Sequence, residues 1–213
     1  MKLVKTLVIG SVLALAPAAF AQKWEFGGGV GGGFYTSQDV TNAGGSASAK
    51  LQNGITGAAW LGNNGQGHWS GELRYEYGMS DLELKSGGTT ATFSGHTHQV
   101  HYDVMWHATP SEARVRPFVA AGAGIKLFEG TGKEAVFQPL SNFALLSKEQ
   151  DLTALVSVGA GIKFQLSPHV QIRLDVHDYL SPFPKKTIMP NAGSKVGGWL
   201  QDFVPMVGIS YTN

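Results

Sequence analysis

The feature that most constrains this chain is the alternation along its last fifteen residues. Trp199, Phe203, Pro205, Val207, Ile209 and Tyr211 all fall at odd positions, while the even positions are mixed, small or charged. Successive side chains of a strand project to opposite faces, so this segment is a strand with one greasy face and one varied face. The same period recurs about eight times along the chain, which predicts an all-β fold.

The eight predicted strands cover residues 23–36, 49–61, 69–84, 92–107, 115–128, 151–166, 169–180 and 199–213. The first sets Trp24, Phe26, Val30 and Phe34 against Glu25 and a row of glycines. The second sets Leu51, Ile55, Ala59 and Leu61 against Lys50, Gln52, Thr56 and Trp60. The third sets Trp69, Leu73, Tyr75, Tyr77 and Met79 against Ser70, Glu72, Arg74 and Glu76, and the remaining strands repeat the scheme. Connections alternate in length. Residues 37–48, 85–91, 129–150 and 181–198 are the long ones, and 62–68, 108–114 and 167–168 are the short ones. Long loops at one rim and tight turns at the other are expected of an eight-stranded antiparallel up-and-down transmembrane β-barrel. A soluble sandwich or cup also alternates, but its greasy face points inward. Here the charges share the side of the glycines, so the apolar side chains face outward, toward lipid.

The start of the chain agrees with that destination. Lys2 and Lys5 precede an apolar run from Leu7 to Leu15, and Ala19-Phe20-Ala21 is a small-x-small cleavage site, so residues 1–21 read as a signal peptide and residues 22–213 as the barrel domain. The run is too short for the ~20 residues of a spanning helix. Cleavage leaves 14 basic and 15 acidic residues, which gives a nucleic-acid partner no electrostatic support. Cys is absent, excluding a disulfide scaffold and thiolate chemistry.

An eight-stranded barrel is about wide enough for its own side chains to fill, so an open solute channel is not expected. The inward set Glu72, Arg74, Glu76, Asp103, Arg116, Lys126, Lys163, Arg173, Asp175 and Asp202 holds five acids and five bases. Near balance lets them pair where an unpaired charge would be costly. The string Ala121-Gly122-Ala123-Gly124-Ile125-Lys126 is echoed by Val158-Gly159-Ala160-Gly161-Ile162-Lys163. Antiparallel neighbours would set these lysines near opposite rims and gather four inward glycines near mid-height, making room for long side chains from across the barrel.

Other chemistry is weakly signalled. His96-Thr97-His98 with His101 lacks the further ligands of a metal site and reads as a polar rim, so no metal or cofactor is expected. His68-Trp69-Ser70-Gly71 approaches the His-x-Ser-Asn signature of lipid A deacylases but lacks the Asn, and it lies beside a short turn, away from outer-leaflet lipid. The apolar loop residues Phe137, Leu140, Phe143, Leu145 and Leu146, and Phe183, Ile188 and Met189 in the fourth loop, are expected to pack over the barrel mouth, the alternative being contact with a partner.

With Gly-Ala-Gly-Ile-Lys in strands five and six, Arg173-Leu174-Asp175-Val176-His177-Asp178-Tyr179 after a Ser-Pro turn, and the closing Gly208-Ile209-Ser210-Tyr211, the chain resembles the outer-membrane β-barrel domain family related to small outer-membrane protein A-type barrels. The resemblance implies an outer-membrane location among its lipids, insertion by the barrel assembly machinery, and a structural or surface-interaction role for a monomer, not catalysis. Such barrels commonly end on an aromatic residue, whereas Tyr211 is followed here by Thr212-Asn213, and no peptidoglycan-binding segment is expected after the barrel. Lipid A modification and a narrow pore for small solutes are the alternative activities.

Overall fold

The computed structural model describes residues 23–64, 67–132 and 138–213, so the expected signal segment 1–21 and Phe137 lie outside the described residues. Fifteen strands follow in chain order among them: β1 (Lys23–Tyr35), β2 (Gln38–Asn42), β3 (Gly45–Leu51), β4 (Gly54–Asn64), β5 (Trp69–Met79), β6 (Leu82–Ser86), β7 (Thr89–Phe93), β8 (Gly95–His107), β9 (Val115–Gly130), β10 (Ala144–Leu146), β11 (Gln150–Ser167), β12 (Val170–Pro182), β13 (Ile188–Pro190), β14 (Lys195–Val196) and β15 (Trp199–Thr212).

Eight of these strands form a closed barrel in the order β1-β15-β12-β11-β9-β8-β5-β4, every pair antiparallel. The ring closes where β1 meets β15, with Phe26 opposite Tyr211 and Phe34 opposite Phe203. The period-two pattern decides which way each strand faces. Val30, Leu73, Val100, Val119, Val158, Leu174 and Ile209 stand outward with 39–62 % of their surface exposed. A belt of that kind running around a whole molecule is a lipid-facing band. Aromatic side chains mark its edges: Trp69 lies opposite Trp106 near the short-turn rim, and Phe34 meets Phe203 near the other. The alternation of connections holds, with residues 36–53, 80–94, 131–149 and 183–198 joining barrel strands at one rim and 65–68, 108–114 and 168–169 at the other.

Three predicted strands end sooner than their alternation suggests. The second and third segments break at Gln52-Asn53 and at Ser80-Asp81, and the fourth breaks at Ser94, so that β3, β6 and β7 leave the barrel wall. Leu51, Leu82, Leu84 and Phe93 therefore face a protein core and not lipid. The period of two continues across Gln52-Asn53, from Leu51 to Ile55, but its phase flips at the other two breaks, from odd Met79 to even Leu82 and from odd Phe93 to even Val100, so a phase change marks where the backbone turns. Local polar bonds hold the turns: Gln52 N–H donates to the Asp81 carbonyl at 2.7 Å, and Tyr35 N–H donates to Asn53 Oδ1 at 3.2 Å. Gly54 sits at the pinch, since a Cβ there would lie 1.7 Å from the Met79 carbonyl oxygen.

The long connections fold into a cap. Strands from three of them pair in the order β14-β2-β3-β6-β7, while β10 pairs with β13 across the third and fourth. The tip of β6–β7 turns through Gly87 and Gly88, at φ 53° and 84°, values that favour glycine. Beneath the strands lies an apolar core that includes Val40, Leu51, Leu84, Phe128, Phe143, Phe183, Ile188 and Leu200. Leu140, Phe143, Leu146, Phe183 and Ile188 thus pack over the barrel mouth as expected, while Leu145 and Met189, opposite one another in the β10–β13 pair, stay about 40 % exposed.

Candidate functional site

The inner face of the barrel is the candidate site, and parity alone delivers its groups there. On β5 the residues between outward Leu73, Tyr75 and Tyr77 are Glu72, Arg74 and Glu76, so one strand supplies an acid, a base and an acid in line. Arg74 Nε donates to Glu72 at 3.0 Å and Nη1 to Glu76 at 3.2 Å, while Nη2 pairs with Asp175 on β12 at 3.2 Å. Arg173 joins two of these three acids, pairing closely with Glu72 and Asp175. Both guanidinium groups lie over Trp60, at 5.2 and 5.0 Å from its ring centre. Each guanidinium is thus matched by carboxylate partners and an aromatic face, the condition for ions to remain in a dry interior.

Histidines extend the cluster. His177 spans two acids, with Nδ1 3.4 Å from Asp175 and Nε2 3.3 Å from Asp103, and His101 Nε2 lies 3.3 Å from Asp103 as well. The Tyr179 hydroxyl donates to Glu76 at 2.6 Å, and the Gln99 amide donates to its other oxygen at 2.6 Å. Two separate pairs lie toward the ends. Lys126 meets Asp202 at 2.7 Å beside the Tyr35 and Phe128 rings near the cap. Lys163 meets Glu25 at 2.6 Å near the short-turn rim, where Asn64 and Ser210 also donate to Glu25 at 3.0 and 2.8 Å.

All ten charges read from the sequence lie inside, none more than 8 % exposed. Glu72, Arg74, Glu76, Arg173 and Asp175 form one cluster that reaches Asp103 through histidine, Lys126 and Asp202 form a pair, and Lys163 takes a partner outside the set. Among the described residues Arg116 donates only to Asn64, at 3.4 Å. Glu25, His101, His177 and Tyr179 belong to the network although they were not among the ten. Their positions on the inward face were the available signal: Glu25 alternates with Trp24 and Phe26, and His177 shares parity with Asp175.

The glycines act differently from expectation. Register sets Gly124, Gly122, Gly159 and Gly161 at four successive levels, opposite Leu155, Ser157, Ala120 and Phe118, so they do not gather at mid-height. The space they leave is filled by the adjacent strand and not from across the barrel. A Cβ on Gly159 would lie 2.5 Å from the His177 ring, and one on Gly122 would lie 2.2 Å from Asp103 Oδ1. Two network residues therefore lean over neighbouring backbone that only glycine leaves open.

The weaker signals have ordinary partners. His98 Nδ1 is hydrogen-bonded to the Tyr75 hydroxyl at 2.9 Å, and the His96 ring lies 5.3 Å from that of Tyr77, both at the rim facing the cap. Among the described residues no group of His, Asp and Glu side chains is arranged to hold a metal ion. His68 Nδ1 lies 2.6 Å from the His107 carbonyl oxygen and its ring stacks on Trp106.

Comparison with known proteins bears on this architecture. A family model described as the outer membrane protein beta-barrel domain matches residues 6–184. No curated protein matches the sequence. Among solved structures, the outer membrane protein OprG from Pseudomonas aeruginosa superposes with a TM-score of 0.63 at 13 % identity, covering 90 % of this chain and 96 % of the other. Neisserial surface protein A superposes with a TM-score of 0.55 at 9 % identity, covering 89 % and 96 %. At these identities the likeness is one of fold.

Proposed function

Because the chain belongs to the outer membrane protein beta-barrel domain family and resides in the bacterial outer membrane, we propose that it is a non-catalytic, monomeric barrel whose plugged interior gives the envelope integrity and whose cap presents a surface for interaction. In this reading the barrel assembly machinery inserts it, the cap faces outward, and both chain ends and the short turns face the periplasm. One observation carries the reading. The ion network fills the lumen from Glu25 to Asp202 with side chains that are almost wholly buried, leaving the barrel packed and not open. The apolar core of the cap then roofs the mouth.

The engagement of His68 with the His107 carbonyl, and its place at the short-turn rim, support the non-catalytic reading. Purified protein in a planar bilayer is expected to show no steady openings, and incubation with lipid A is expected to return the lipid unmodified. Sustained conductance would overturn the plugged lumen. Lipid A turnover that His68→Ala or Ser70→Ala abolishes would overturn the absence of catalysis.

A further inference from the structure

On the lipid-facing wall a furrow of about 660 Å³ runs across four neighbouring strands, β1, β15, β12 and β11. Register builds it. One bank is the paired row Val30, Val207 and Leu174, the other is the row Pro205, Val176 and Ala160, and the floor is the backbone between them. Three strand spacings make it ~14 Å long. Val30, Leu174, Val176 and Val207 are 42–62 % exposed, so the furrow opens into the lipid-facing band and hydrocarbon is what reaches it. It also slopes. At β1 it reaches Gly31, four residues below the cap end of that strand, whereas Ala160 lies ten residues below the cap end of β11. A chain entering from the cap-side edge of the band is therefore led down toward its middle.

The wall at the upper end lacks one hydrogen-bond donor. Thr36 N–H donates to the Gln201 carbonyl at 2.9 Å, and bonded pairs recur at every second residue of an antiparallel ladder, so Gly32 and Pro205 face each other as such a pair. Pro205 has no N–H to give the Gly32 carbonyl, and the pairing of β1 with β15 skips from Gly31 opposite Met206 to Phe34 opposite Phe203. Gly32 is part-exposed, and without a side chain the surface it exposes is backbone. A carbonyl without its donor is costly beside hydrocarbon, where bulk water does not replace the bond. A donor carried by the lipid itself does.

We propose that the furrow binds the acyl chain of a lipid in the cap-side leaflet that carries a hydroxyl near its head, the hydroxyl donating to the Gly32 carbonyl and the tail lying along the furrow toward Ala160. The site belongs to the lipid-facing wall and stands whether or not the cap serves surface interaction.

The test places the full chain in phosphatidylcholine nanodiscs, isotope-labelled at the Gly32 carbonyl, and follows that resonance by NMR as β-hydroxymyristic acid or myristic acid is added. The hydroxy acid is expected to shift the resonance saturably and to bind about fivefold more tightly than the plain acid. Pro205→Ala supplies the missing N–H and should make the two acids equal. Val176→Trp fills the furrow and should weaken both about tenfold or more, while Val119→Trp on the far wall should leave both unchanged. No saturable shift, equal binding of the two acids by the wild-type chain, a preference that survives Pro205→Ala, or a response indifferent to Val176→Trp would each overturn the proposal. If Pro205→Ala does not fold, the wild-type comparison and Val176→Trp decide it.

Discussion

Lys163 on β11 and Glu25 on β1 meet inside the barrel over the two strands that separate theirs, and the value of such a pair lies less in its attraction than in what remains when one member is removed. Lys163→Met leaves a carboxylate without its cation, and Glu25→Met leaves an ammonium at a position 2 % exposed. Each single change is expected to cost about 3–5 kcal/mol, while the double substitution costs less than either, since an apolar pair needs no counter-charge. Urea unfolding in detergent checks this, and additive losses would contradict it. At this scale the sequence was readable as far as parity reaches: every inward charge in the ten is indeed inside. Pairing was not readable, because it depends on register and on the lean of side chains across the wall. His177 reaches Asp103 on a strand remote from its own in the ring, and nothing in local spacing signals that contact.

Among the elements, the cap is the part that alternation misassigned. An apolar residue at every second position serves equally well on a lipid-facing strand and on a hairpin over a core, but Leu82 and Leu84 fall on the parity of inward Glu72, Arg74 and Glu76, and that one-residue phase shift was the signal that the strand had ended. The breaks are carried by short polar residues such as Asn53 and Asp81, whose backbone and side-chain bonds are invisible to a hydropathy pattern. Since the cap has its own core, it should open apart from the barrel. Leu82→Ala or Phe143→Ala is expected to destabilise it by about 2–5 kcal/mol, seen as faster amide exchange in β2, β3, β6 and β7 with the barrel amides unchanged. Glu83 adds a dependence on pH. Burial raises its pKa, but the hydrogen bond from Gln52 and the charges of Lys85 and Lys50 outweigh that and hold it below the ordinary carboxylate value. A lowered folded pKa means that stability is present above the unfolded value and is lost as pH falls through the folded one. Exchange at Leu82–Ser86 should therefore speed up as acid is added through that window, and Glu83→Gln should flatten the profile.

For the whole molecule, closure makes every barrel strand depend on the seam. At the final residues the Asn213 amide donates to the Trp24 carbonyl at 3.2 Å, Trp24 N–H donates to Asn213 Oδ1 at 2.8 Å, and Thr212 N–H donates to the His169 carbonyl at 2.9 Å. The two residues that follow Tyr211 thus fasten the ring. A closed barrel of this kind is expected to migrate differently on a gel before and after boiling. Spin labels at Leu174 and Ile209 are expected to report hydrocarbon, and a label at Gly208 to report the shielded interior. Water contact at Leu174 would sink the orientation on which the fold rests. The cap shares this interdependence, because its five-stranded sheet is stitched from the first, second and fourth long connections. No one of those connections completes the sheet alone, so antisera raised against isolated loop peptides are expected to recognise the denatured chain and pass over the folded protein.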